Sequence, residues 1–323
     1  MGRLSNRLKF FPLALWALIF IMLVGWTLWE LGTIGRTINI PRNTTPIEYQ
    51  FALLIPAMDY DLFYTRFCGS MKEIAEQEQA VLEIYKYPEG ERDEIRRLLR
   101  LILNTNPDGV VFSIPYDTAY EEHFKAFTDH KIPLVTLEYD AAYRNAYVGS
   151  NPFELGRLAG EAVISLNSGG AAAVLLSGGD TSFIQGFRQV LVDNGTIDLG
   201  MVRSYEDTAA AGEEFIREIL VSRDNITVAV FTGSREAEGA AQALIEYGRV
   251  GTPLIIASED NTEIRRLMEM GVISATVVRN PENAGRAAVQ ALCALSRNER
   301  TNAYVDSGSS ILWAEMLKQE KRP

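Results

Sequence analysis

From about residue 48 onward the chain reads twice, and this constrains its fold more than any other feature: a second half retraces the first about 120 positions later. Phe51 to Asp59 (FALLIPAMD) aligns with Ala172 to Asp180 (AAVLLSGGD), and Gly109 to Pro115 (GVVFSIP) with Val228 to Ser234 (VAVFTGS). Pro133 to Glu138 (PLVTLE) aligns with Pro253 to Glu259 (PLIIASE). Each apolar run is short and is followed by a helical stretch, so each half is a series of βα units that builds a parallel sheet flanked by helices. Two such halves make two lobes. In open α/β sheets the carboxyl ends of the strands line the ligand crevice, and two facing lobes bring two sets of strand ends to one cleft. The expected fold class is α/β, two doubly wound parallel-sheet lobes that clamp a small molecule.

Strands are predicted near 50–56, 81–86, 109–114, 133–138 and 146–149 in the first half, and near 171–177, 199–204, 227–232, 253–258 and 273–278 in the second. Helices are predicted near 62–79, 91–104, 117–130 and 152–166, then 182–193, 208–222, 235–248, 262–270 and 281–296. Pro107-Asp108-Gly109 and Asn194-Gly195 punctuate the alternation as turns. Ala303 to Val305 and Ile311 to Trp313 read as short strands around Asp306-Ser307-Gly308, followed by a polar tail.

The N-terminal part reads differently. Phe10 to Trp29 is a run of twenty residues without a charge, long enough to cross a bilayer as a helix. Arg3, Arg7 and Lys9 precede it, which favours retention of residues 1–9 in the cytoplasm and places the rest outside the cell membrane. A cleaved secretory signal is the alternative, but the apolar run is long for one and Thr33 and Gly35 offer a poor cleavage site. Residues 30–46 are polar and punctuated by Gly and Pro, and read as a linker. The formal net charge is -11, and -14 without the three leading cations, which argues against nucleic acid, whose phosphates call for a basic stripe. Cys68 and Cys293 are the two cysteines; both fall in helical stretches and read as buried free thiols, though an exported chain could pair them.

Strand ends supply the candidate ligand contacts. Asp59 to Phe63 (DYDLF) combines carboxylates with aromatic rings, and aromatic faces cover a sugar ring while carboxylates accept from its hydroxyls. For Asp61 a helix N-cap is the competing role, and for Phe63 packing under the helix. Glu138 and Glu259 end equivalent strands of the two halves and are expected to face each other across the cleft. Arg279 closes SATVVR and either donates to the ligand or pairs with Glu259. Gly178 to Ser182 (GGDTS) precedes a helix whose free N–H groups could bind an anion. His123 and His130 share a helix without partners at metal spacing and are expected on the surface; no metal or cofactor is called for, and no nucleophile–base motif indicates an enzyme.

These residues resemble the type 1 periplasmic binding proteins, in particular the ribose/galactose-type sugar-binding branch. The resemblance spans about 48–316. It is carried by FALLIPAMDYDLFYTRFCGSMKEIAEQ, NPDGVVFSIPYDT, IPLVTLEYDA, AYVGSNPFELGRLAGE, SREAEGAAQAL, PLIIASED through ISATVVRNPENAGRAA, and YVDSGSSILW. It implies a first lobe of 46–149 plus 280–306 and a second of 150–279 plus 307–323, joined by a three-segment hinge and closing around a monosaccharide. The family's pocket positions fall on Pro56, Tyr60, Leu62, Phe63, Glu138, Tyr139, Gly233, Glu259 and Arg279. Glu138-Tyr139 stands where the family commonly has Asp-Arg and Gly233-Ser234 where it has Asn-Asp, and the arginine usual after the second lobe's first strand has no counterpart in DTSFIQGF. The resemblance implies a substrate-binding component of a sugar ABC transporter, or a membrane-anchored sensor beside a histidine kinase. Loss of the pocket donors leaves a scaffold without sugar binding as a further alternative.

Overall fold

In a computed structural model, residues 22–27, 29, 47–57, 62–166, 169–177, 181–195, 197–222 and 224–320 are described. The chain divides into two units, Met1–Pro46 and Ile47–Pro323. Of the first unit, 22–27 and 29 are helical with exposed side chains. Among the described residues no helix is long and apolar enough to cross a membrane. Most of the predicted span at 10–29, with the linker at 30–46, lies outside them.

The second unit holds two six-stranded sheets. The first contains β1 (Tyr49–Pro56), β2 (Ala80–Tyr87), β3 (Gly109–Phe112), β4 (Leu134–Leu137), β5 (Ala146–Gly149) and β11 (Tyr304–Asp306), in the order β11-β5-β4-β3-β1-β2, all parallel. Its helices are α1 (Leu62–Gln77), α2 (Arg92–Thr105), α3 (Glu121–Asp129) and, returning late in the chain, α9 (Pro281–Ser296). The second contains β6 (Ala171–Ser177), β7 (Asp198–Tyr205), β8 (Ile226–Phe231), β9 (Leu254–Ser258), β10 (Ile273–Arg279) and β12 (Ser309–Trp313). Their order is β12-β10-β9-β8-β6-β7, with β12 antiparallel to β10. Its helices are α4 (Pro152–Leu166), α5 (Thr181–Asn194), α6 (Ala209–Val221), α7 (Ser234–Glu246), α8 (Thr262–Glu269) and α10 (Ala314–Glu320).

The apolar runs explain this layering. β1 is buried from Phe51 onward, as a parallel strand covered on both faces must be. Its side chains alternate: Phe51, Leu53 and Ile55 pack with α1 and α9, Ala52 and Leu54 with α2 and α3. β6 repeats the arrangement, Ala173 and Leu175 packing with α6, α7 and α8, Ala172 and Val174 with α4 and α5. The helix pairs on the second sheet touch through glycines. A Cβ on Gly186 of α5 would collide with the Phe153 carbonyl of α4, and one on Gly239 of α7 with the Ala209 carbonyl of α6.

The chain crosses between the sheets after β5, after β10 and after β11. The polar tail expected after residue 313 is instead the helix α10, seated by Ala314 and Leu317 in the second core. His123, expected on the surface, is half-buried in α3, and its Nδ1 has no partner among the described residues. Burial, then the charges of Arg100 and Arg96, lowers its pKa. Cys68 and Cys293 are free thiols at the α1–α9 core. Burial pushes the Cys293 thiol up to about 11.

Candidate functional site

Both sheets have the doubly wound order, in which ligands sit outside the carboxyl ends of the strands. A cleft of about 920 Å³ lies there. Pro56 ends β1, Tyr87 ends β2, Tyr116 and Tyr120 follow β3, and Tyr139 follows β4 on one wall. On the other wall Asp207 follows β7, Gly233 and Glu238 follow β8, Glu259 and Asn261 follow β9, and Arg279 ends β10.

At the floor three charges meet. Arg279 Nη2 donates to Glu259 Oε2 at 2.5 Å and Nη1 to Glu138 Oε2 at 3.1 Å, so the guanidinium ties a carboxylate of each lobe. Its carbon lies 4.3 Å from the centre of the Phe63 ring, in cation–π geometry. Burial opposes the Arg279 charge, but Glu259 and Glu138 outweigh it and hold the pKa well above its ordinary value. Burial pushes the Glu138 carboxyl up, more than Arg279 pulls it down, and Glu138 Oε1 has no partner among the described residues.

The two glutamates are held by matching backbone devices. Glu138 has φ +60° and Glu259 φ +76°, left-handed values that cost a residue with a Cβ roughly 1–2 kcal/mol. Their N–H groups donate to the carbonyls of Val148 (2.9 Å) and Val277 (3.1 Å). Their own carbonyls accept from Tyr147 Oη at 3.4 Å and Thr276 Oγ1 at 2.7 Å. The turn after each fourth strand aims its carboxylate at the space between the lobes.

Two further pairs join the lobes: Arg66 Nη1 to Asp260 Oδ2 at 3.4 Å and Arg235 Nη2 to Glu89 Oε2 at 2.7 Å. The tyrosine wall is fixed from behind, since Tyr87 Oη donates to the Ser113 carbonyl at 2.8 Å and Tyr64 Oη bonds Ser113 Oγ at 2.8 Å. Asn261 caps α8 through Oδ1, which accepts from the Ile264 N–H at 2.8 Å. Its Nδ2 donates to Glu238 Oε1 at 2.9 Å.

Of the residues singled out in the sequence, Pro56, Tyr139, Gly233, Glu259 and Arg279 line the cleft. Glu138 stands behind Arg279, and Phe63 is buried beneath it, facing a small side pocket. Leu62 opens α1 half-buried, off the cleft wall. Tyr60, with Asp59 and Asp61, lies outside the described residues, as do Gly178 to Asp180. Arg279 pairs with Glu259, and in addition with Glu138. Sequence reasoning missed Tyr87, Tyr116, Tyr120, Asp207, Glu238 and Asn261. Tyr87, Asp207 and Asn261 end or closely follow strands, as Glu138 does, whereas Tyr120 and Glu238 belong to the helical turns beyond β3 and β8, where a strand-end rule does not reach.

Residues 51–300 match the family model described as a periplasmic binding protein domain. No curated protein matches the chain. Among solved structures, a sugar-binding protein of a sugar ABC transporter from Bacillus halodurans is 18% identical, with TM-score 0.77 over 84% of this chain and 99% of that one. AraP, an arabinose binding protein from Geobacillus stearothermophilus, is 19% identical, with TM-score 0.77 over 84% and 99%. A mutant XylFII–LytSN complex contains a chain 20% identical, with TM-score 0.69 over 84% and 100%.

Proposed function

This chain belongs to the periplasmic binding protein domain family, and from that premise we propose that it is an extracytoplasmic receptor that closes its two lobes around a monosaccharide. The observation that carries the reading is the cleft itself: about 920 Å³, within the roughly 300–1,000 Å³ usual for small-molecule sites, with tyrosines on the first lobe facing Asp207, Glu238 and Glu259 on the second. Tyr87, Tyr116 and Tyr139 offer ring faces for the apolar face of a sugar. Glu259 and Asp207 accept from hydroxyls, and Asn261 supplies an amide. Tyr60, Phe63 and Glu138 complete the proposed set, Phe63 and Glu138 by orienting Arg279.

The uncharged run at 10–29, preceded by three cations, supports single-pass anchoring in the cell membrane with the lobes outside. The ligand-bound state would then be read by a membrane partner. Delivery to the permease of a sugar ABC transporter is supported by the relative from Bacillus halodurans. Signalling through a sensor histidine kinase is the second reading, favoured by the fixed anchor and by a relative that is found in complex with another protein.

Thermal unfolding of the full-length protein with pentoses, hexoses, inositols and small diols tests the proposal. Ligand at about 100 times its dissociation constant adds about 2.7 kcal/mol, a readily visible rise in midpoint. A selective rise with one sugar class is expected. A flat response across the panel from folded protein would overturn the reading.

A further inference from the structure

The charges around the cleft do not balance, and the imbalance is local. Three arginines line it, and each is already matched. Arg92 Nε meets Asp117 Oδ2 at 3.2 Å, Arg235 meets Glu89 at 2.7 Å, and Arg279 is divided between Glu259 and Glu138. Glu263, at the rim, pairs with Arg266 at 2.5 Å. Two lining carboxylates remain outside any ion pair among the described residues: Asp207 and Glu238. Among the described residues Asp207 is met by backbone donors alone, the Glu236 N–H at 3.1 Å from Oδ1 and the neighbouring Arg235 N–H. Glu238 Oε1 accepts from the Asn261 amide. Arg235 lends both some positive potential, but its guanidinium is drawn to Glu89 on the opposite lobe.

A third carboxyl stands behind this wall. Glu236 is fully buried, and neither of its oxygens has a hydrogen-bond partner among the described residues. It and Asp207 flank Gly233: a Cβ there would collide with Asp207 Oδ1 and stand 3.1 Å from Glu236 Oε2. Burial first, then the neighbouring Asp207, pushes Glu236 up to about 8. Burial also raises Asp207 and Glu238. Three acidic groups are therefore gathered at one wall, all penalised for ionising. The facing wall carries Tyr87, Tyr116 and Tyr139, whose ring faces attract cations.

We propose that the cleft selects a ligand bearing a protonated primary amine, namely an amino sugar, whose ammonium is held by Asp207 and Glu238 against the tyrosines of the other lobe. This rests on the monosaccharide reading above and narrows it. A neutral hydroxyl leaves the two carboxylates desolvated and without a counter-charge when the lobes close. An ammonium supplies that counter-charge and donates up to three hydrogen bonds.

The test is calorimetric titration of the full-length protein with D-glucosamine, D-glucose, N-acetyl-D-glucosamine, the three galactose counterparts, and putrescine as an amine without a sugar ring. The expected result is an amino sugar bound at least tenfold more tightly than its neutral and N-acetylated counterparts, with affinity that falls as salt is raised. Asp207→Asn with Glu238→Gln should abolish that preference, bringing the amino sugar's affinity down to that of its neutral and N-acetylated counterparts and removing the salt dependence. Should this variant not fold, the salt dependence of the wild type still decides. Equal or tighter binding of a neutral sugar overturns the inference and leaves the monosaccharide reading intact. Binding of putrescine without any sugar supports the cationic ligand and overturns the sugar reading. No binding across the panel overturns both.

Discussion

Replacing Arg279 with methionine isolates the charge at the floor of the cleft. The substitution keeps an unbranched apolar stem above Phe63, whose ring centre is 4.3 Å from the guanidinium carbon, and deletes the cation. Glu138, with a side chain only 8% exposed and Oε1 already unpartnered, then loses its ion pair. Breaking a buried pair from one side costs about 3–5 kcal/mol, because the remaining charge stays buried uncompensated. The Arg279 side chain is 18% exposed, so water can reach part of the vacated space, and the lower end, about 3 kcal/mol, is expected.

The deficit has a sign in pH. Glu138 is already raised by burial, and without Arg279 it rises further. A carboxyl whose folded pKa lies above its unfolded value binds more protons when folded. Its contribution is therefore present below the ordinary carboxylate range and is lost as pH rises through the folded value. Urea unfolding of Arg279→Met, followed by far-UV circular dichroism, should show a deficit that is small near pH 4 and grows toward pH 8. Adding Glu138→Gln should recover most of it. A deficit under about 0.5 kcal/mol at pH 8, one that does not change with pH, or a double variant no better than the single would refute the view that Arg279 neutralises a buried Glu138.

Glu236 titrates with the same sign: raised to about 8, it favours the fold at low pH and costs stability as pH climbs toward that value. Glu236→Gln should thus raise the melting midpoint at pH 8.5, by a stabilisation on the order of a few kcal/mol, and leave it unchanged near pH 4. The close approach of α6 and α7 predicts that Gly239→Ala, whose Cβ would strike the Ala209 carbonyl, destabilises by about 1–3 kcal/mol in the same melts. Gly69→Ala, in α1 with nothing within 4 Å, should be neutral or stabilising by up to about 1 kcal/mol. Equal effects at the two glycines would mean that the helix pair can spread.

The fold was legible because the strands of a parallel sheet covered on both faces are continuous apolar runs, and FALLIP and VAVF stand out from any helical period. The repeat then ordered them. It also picked out Glu138 and Glu259, because equivalent strands end equivalently. The pairing of Arg279 with both was not legible: it depends on how closely two separate sheets approach, and no local pattern encodes that distance. Tyr87 and Asp207 were missed for a related reason. They end or follow the edge strands β2 and β7, which the sequence places correctly but which fall outside the three aligned strand pairs of the repeat, and they reach the cleft only because the sheet order brings β2 beside β1 and β7 beside β6. The α10 helix was hidden by its composition, with two buried residues, Ala314 and Leu317, anchoring an otherwise polar stretch.

Backbone strain bears on whether this is a working site or a remnant scaffold. Glu138 and Glu259 both sit at positive φ, where glycine would relieve roughly 1–2 kcal/mol at each position. A chain with no use for carboxylates there would be more stable with glycine at both turns. Instead each turn carries a glutamate whose N–H and carbonyl are both tied to the neighbouring strand, and both carboxylates converge on one arginine. At these two turns the strain is offset by an ion cluster that joins Glu138 of one lobe to Arg279 and Glu259 of the other. Carboxylates held in this way suit a cleft whose closing brings charge from both lobes around a bound molecule, and they weigh against a scaffold that has lost its site.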